Sequence, residues 1–115
     1  MEIFVNNNKL RKAIGDEVTC KKKYGEDMAK KIKLRVAALR AADSLADFWP
    51  PNSGPERCHE LKADRKGTFS LDLVQPFRLL FRPNDEVVKA DEADEQKRWQ
   101  RITSIDILVI EDTHG

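Results

Sequence analysis

The stretch Thr68-Phe69-Ser70-Leu71-Asp72-Leu73-Val74-Gln75-Pro76-Phe77-Arg78-Leu79-Leu80-Phe81-Arg82 decides the fold class of this chain. Phe69, Leu71 and Leu73 alternate with Ser70 and Asp72, the two-residue period of a strand that buries one face. Gln75-Pro76 interrupts the run, because proline brings no N–H to a ladder. Phe77, Leu79 and Phe81 then point one way, and Arg78, Leu80 and Arg82 the other. Downstream, Pro83-Asn84-Asp85 reads as a turn. Ile102 to Ile110 reads as a final strand, apolar enough to lie inside a sheet. Upstream, Arg57 to Leu61 reads as a further strand, joined to the first by the turn Asp64-Arg65-Lys66-Gly67.

The first half of the chain keeps a different period. Ile3 to Val5 reads as a short opening strand, ended by Asn6-Asn7-Asn8. One of these asparagines suits the N-cap of a helix through Leu10 and Ile14 that ends near Gly15. From about Gly25 to Ala42, Met28, Ile32, Val36 and Leu39 recur at helical spacing, with Lys30, Lys31, Lys33, Arg35 and Arg40 between them. Ser44 caps a further turn through Leu45, Ala46 and Phe48, and Pro50 to Pro55 forms a loop. Helices followed by a meander of strands predict an α+β fold, with the N-terminal helices packed on one face of an antiparallel sheet. Residues 85 to 101 are very polar apart from Val87, Val88 and Trp99. They are expected to form a protruding hairpin or mobile loop, a polar insertion within a single domain spanning residues 1–115.

A chain of 115 residues buries enough surface to fold as one domain without disulfides or metals. Cys20 and Cys58 stand far apart in no metal-binding or redox spacing, which suits a reducing compartment. The apolar runs fall far short of the roughly 20 residues of a membrane span, and the start lacks the pattern of a signal peptide. A soluble, cytoplasmic protein is expected. Charge is unevenly spread: residues 1 to 40 hold 11 Lys/Arg against 5 Asp/Glu, and residues 84 to 115 hold 4 against 9. A basic end can meet a polyanion while the whole chain stays near neutral.

Two histidines are present, and each stands among residues that handle protons or phosphate. His59 lies in Cys58-His59-Glu60-Leu61-Lys62, ahead of a Lys/Arg-rich turn, and His114 lies in Glu111-Asp112-Thr113-His114-Gly115. Brought together, His59, Lys62, Asp112 and His114 would give one small site two imidazoles, a carboxylate and a cation. Internal cleavage of RNA needs a base for the 2′-OH, an acid for the leaving 5′-oxygen and cations for the phosphorane. An imidazole pKa of about 6.5 suits either role at neutral pH. Arg78 projects opposite Phe77 and Leu79, away from the core, and is a candidate for the cleft floor. No short-spaced ligand pair supports zinc, so no metal or other cofactor is expected.

The segment Cys58-His59-Glu60-Leu61-Lys62-Ala63-Asp64-Arg65-Lys66-Gly67-Thr68-Phe69-Ser70-Leu71 resembles the "LHxLKGDRxGxWSI" segment of HigB toxins, in the RelE/ParE superfamily of bacterial toxin–antitoxin systems. Pro76-Phe77-Arg78-Leu79-Leu80-Phe81 is similar to the family's "xWRITF" strand, and Ile110-Glu111-Asp112-Thr113-His114 to its "EDYH" close. The resemblance implies a ribosome-dependent mRNA endoribonuclease that cuts messenger RNA in the A site, without a metal, and is silenced by a HigA-like antitoxin. It implies catalytic roles for His59, Lys62, Arg78, Asp112 and His114; Arg65, Lys66 and Arg82 are further candidates for RNA contacts. Three departures stand out: Thr113 replaces a tyrosine, Ala63 replaces a turn glycine, and residues 85–101 are longer than the usual hairpin. The same superfamily holds ParE-type toxins that bind DNA gyrase and cut no RNA. A catalytically silent module that only binds antitoxin is a further alternative.

Overall fold

Asn7 opens the helical half: its side chain accepts the Leu10 N–H at 3.0 Å and caps α1, Asn8–Gly15. A computed structural model describes residues 1–84 and 94–112. Ahead of α1 runs the short strand β1, Glu2–Phe4. Behind it come α2, Glu17–Tyr24, and α3, Glu26–Ala41, separated by Gly25 at φ +87°, a backbone setting that suits glycine. Helix α2 buries only Cys20, so it carries no apolar stripe by which periodicity could have found it. Helix α3 buries Met28, Ala29, Ile32, Arg35 and Leu39. Ser44 then caps a 3₁₀ turn, Leu45–Phe48, by accepting the Ala46 N–H at 3.2 Å.

The strands are β2, His59–Glu60, β3, Phe69–Asp72, β4, Phe77–Pro83, and β5, Ser104–Asp112. They form one sheet in the order β1-β5-β4-β3-β2. The pairs β2–β3, β3–β4 and β4–β5 are antiparallel. The β1–β5 pair is parallel, so the sheet is mixed and not purely antiparallel as expected. No hairpin joins β1 to β5, and the helices between them supply the long connection that parallel pairing needs. Strand β2 is shorter than the expected span of residues 57–61, because Arg57 takes φ +48° and leaves the extended region.

One face of the sheet meets the helices. Phe69, Leu71, Leu79, Phe81, Ile105 and Ile107 point into a core shared with Ile32, Leu39, Leu45 and Phe48. Arg35 crosses this layer, donating to the carbonyls of Asp72 at 2.7 Å and Pro55 at 3.0 Å. It ties the loop before β2 to the end of β3.

The expected excursion over residues 85–101 is corrected for its second part. Glu95–Arg101 form a helix, α4, capped by Asp94, whose Oδ1 accepts the Lys97 N–H at 3.1 Å. Trp99 is fully buried against Trp49 and Phe69. Arg98 is buried as well and reaches Glu60 at 2.6 Å. One tryptophan and one paired arginine anchor a segment whose remaining residues are polar. Residues 85–93 lie outside the described residues.

Ala63 opens a 3₁₀ turn, Ala63–Arg65, between β2 and β3, with φ +59°. This is the left-handed region, which strains a residue carrying a Cβ by about 1–2 kcal/mol. Glycine relieves that strain but makes the unfolded chain freer by about 0.4–1 kcal/mol. Ala63→Gly is therefore expected to stabilise the protein by somewhat under about 1 kcal/mol, read as a small upward shift in melting temperature.

Candidate active site

The sheet face turned away from the helices carries the polar half of each alternating strand. Cross-strand neighbours share a face, so the register defines its rows. One row runs His59, Ser70, Leu80, Val109 from β2 to β5. The next runs Asp72, Arg78, Glu111 across β3, β4 and β5. His59 and Arg78 therefore look out from the same face, one row apart and two strands apart. Asp112 pairs with Phe77, which places it on the helix side of β5, exposed at the strand's end. Thr113 and His114 lie outside the described residues, so the expected meeting of the two imidazoles concerns a residue beyond them.

His59 is half-buried, and its Nδ1 lies 3.0 Å from the Arg57 carbonyl oxygen. A carbonyl only accepts, so Nδ1 holds the proton and a neutral ring keeps its lone pair on Nε2. That tautomer orients a proton acceptor.

Asp72 organises the cations beside it. Its carboxylate is buried and lies 3.7 Å from Arg78 Nε, 3.5 Å from Arg57 Nε and 3.2 Å from Gln75 Nε2. Arg78 Nε makes no hydrogen bond among the described residues. Asp72 thus fixes the charge of two guanidiniums while leaving donors on Arg78 uncommitted. The sequence contained the signal: Asp72 occupies a polar position of an alternating strand, in line with Arg78. It read there only as the solvent side of β3.

The turn between β2 and β3 leans over the same face. Arg65 reaches across to Glu111 on β5 and binds it bidentately, at 2.8 and 2.9 Å. Arg65 thereby holds the Glu111 carboxyl below the usual carboxylate range, and Glu111 raises the Arg65 guanidinium. A depressed acid stabilises the fold above its unfolded pKa of about 4.3, and that stability is lost as the pH falls through the lower folded value. Glu111→Gln is therefore expected to melt below the wild-type protein at neutral pH and to converge with it in acid. Melting curves across that range check this; a constant gap at all pH would contradict it.

Glu60 serves the same turn from the core side. Its carboxylate pairs with Arg98 and accepts the Gly67 N–H at 2.8 Å, so α4 and the turn are held by one side chain. Lys62, Lys66 and Arg82 are exposed and make no ion pair among the described residues. No metal-holding group of His, Cys, Asp and Glu occurs among the described residues. Cys58 is buried behind His59, and burial pushes its thiol far up, which leaves it protonated and unreactive. A groove of about 570 Å³ lies elsewhere, on the helical side between α2 and α3, lined by Cys20, Ala29, Ile32 and Val36. It belongs to the other face from His59 and Arg78. No helix of the described residues is long and apolar enough to cross a membrane.

No protein-family model matches this chain, and no curated protein sequence matches it. Among solved structures it is similar to a YoeB/ParE toxin from Agrobacterium tumefaciens, with a TM-score of 0.59 at 11% identity, over 99% of this chain and 100% of that one. A likeness at that identity is one of backbone, not of side chains, and the four α-helices and mixed five-stranded sheet of the described residues have the fold of that toxin.

Proposed function

We propose that this protein is the toxin of a type II toxin–antitoxin system, a HigB-like, metal-independent endoribonuclease that cuts messenger RNA on the ribosome. The observation that carries this reading is the shared face of His59 and Arg78, roofed by a turn rich in Lys and Arg. Its tautomer suits His59 Nε2 to take the proton of the attacking 2′-OH. As the 2′-oxygen bonds to phosphorus, the bond to the 5′-oxygen breaks, and that oxygen needs a proton. The second histidine, His114, is the candidate donor by resemblance. Arg78, with Lys62 beside the turn, neutralises charge growing on the phosphorane oxygens. Lys66, Arg65 and Arg82 contact flanking phosphates, which add affinity without sequence preference. A HigA-like antitoxin is the proposed partner, and the cytoplasm the proposed location.

A second reading, a ParE-like gyrase binder, draws support from Asp112, whose register sets it on the opposite side of the sheet from Arg78. Induction in a bacterial host separates the two. The nuclease reading expects growth arrest with new 5′ ends within translated messages, relieved by co-expressing a helix-turn-helix protein encoded beside it. Arrest with intact messages would favour the gyrase reading, and no arrest would favour a silent binding module.

A further inference from the structure

The face turned away from the helices continues past the candidate active site to an end that neither row above reaches. There the register lines up Phe4 on β1, Asp106 on β5 and Arg82 on β4. Ile3 turns into the core and Phe4 turns out. With 46% of its surface open, Phe4 is the one aromatic among the described residues that is exposed. A lone exposed apolar side chain is ordinary, but this one has particular neighbours.

Asp106 is 96% buried, one of its oxygens accepts Asn6 Nδ2 at 3.1 Å, and the other has no hydrogen-bond partner among the described residues. Arg82, beyond it, is exposed and unpaired among those residues. Ser70 Oγ, in the middle row, is likewise buried and without a partner among them. Buried polar groups are rarely left so, unless water or a ligand meets them.

We infer that Phe4 and Arg82 form a nucleotide subsite, in which the Phe4 ring stacks on a base of single-stranded RNA and Arg82 holds an adjacent phosphate. Stacking on an aromatic tolerates any base, and a neighbouring guanidinium tracks the backbone. Asp106 and Glu111 are five positions apart on β5, so the subsite lies about 16 Å along the strand from the Arg78 row. It therefore takes a nucleotide flanking the one that is cut. Charge favours a nucleic acid over a protein anchor: Arg82 on this face and Lys62 and Lys66 in the turn are exposed and make no ion pair among the described residues, while Arg57 and Arg78 offset the carboxylate of Asp72.

The subsite rests on the nuclease reading, and the test keeps the two apart. The probe is a single-stranded, 2′-O-methyl RNA that cannot be cut, carrying 2-aminopurine at successive positions. Wild-type protein is expected to quench the fluorescence at one position. Phe4→Ala should abolish that quench and weaken binding roughly five- to a hundredfold, while Phe4→Trp restores both. Unchanged melting of the Phe4→Ala protein would exclude misfolding as the cause. Equal binding and quenching by wild type and Phe4→Ala would overturn the subsite, as would failure of the wild type to bind the probe. Cleavage of a translated message by wild-type protein, measured in parallel, decides the nuclease reading independently.

Discussion

Arg78→Ala is expected to lower RNA cleavage by about 10²-fold or more while the protein melts close to the wild-type temperature. The two halves of this expectation have separate causes. Arg78 projects from the face opposite the core, and its one ion pair among the described residues, to Asp72, is at 3.7 Å. Removing it leaves Asp72 with Arg57 and Gln75 as partners, so no buried carboxylate is stranded. The catalytic half follows from position: a guanidinium aimed at a developing phosphorane acts only as charge builds, and its loss appears in kcat. Arg78→Lys keeps the charge but not the planar fork and should recover part of the rate. A loss of activity matched by a fall in melting temperature would assign Arg78 to structure instead.

Trp99→Ala is expected to destabilise the protein by about 3–5 kcal/mol, a fall on the order of 10–20 °C in melting temperature. Trp99 is fully buried, edge-on to Trp49 at a centroid distance of 5.1 Å and to Phe69 at 5.6 Å. It is the anchor of α4, and the neighbouring Arg98 joins α4 to Glu60 and so to the turn over the candidate site. A Trp99→Ala protein that melts like wild type would mean that α4 is peripheral, as the polar composition of residues 85–101 first suggested. Thermal unfolding followed by circular dichroism gives the answer.

The contrast between Trp99 and α3 shows what a sequence can reveal. Helix α3 repeats an apolar residue every three or four positions, and its limits fall within a residue of those read from the pattern. The alternation in β3 and β4 sorted the two faces of the sheet, since Phe69, Leu71, Leu79 and Phe81 all face the helices. Helices α2 and α4 broke the rule because each rests on one or two buried residues, Cys20 in the first and Arg98 with Trp99 in the second. Neither the Asp94 cap nor the burial of Arg98 was read from the sequence, and the partner of that arginine, Glu60, is 38 residues away. The direction of β1 was hidden for the same reason, as nothing local fixes how the two ends of a chain pair.

At the candidate site, the outward direction of side chains on alternating strands was legible, and the pairings across the sheet were not. Arg78 follows from its position opposite Phe77 and Leu79. Glu111 read as a neighbour of Asp112, yet it is Glu111 that shares the row of Arg78 and binds Arg65 across the sheet. A change of one position along β5 exchanges the two faces.

One measurement bears most directly on whether the face of His59 and Arg78 cuts RNA. Purified protein is added to ribosomes translating a defined message, and the 5′ ends of the RNA are mapped. Wild-type protein should create new ends within codons, and His59→Ala and Arg78→Ala, each folded by its melting curve, should create few or none. An intact message with wild-type protein, or equal cutting by all three, would contradict the assignment.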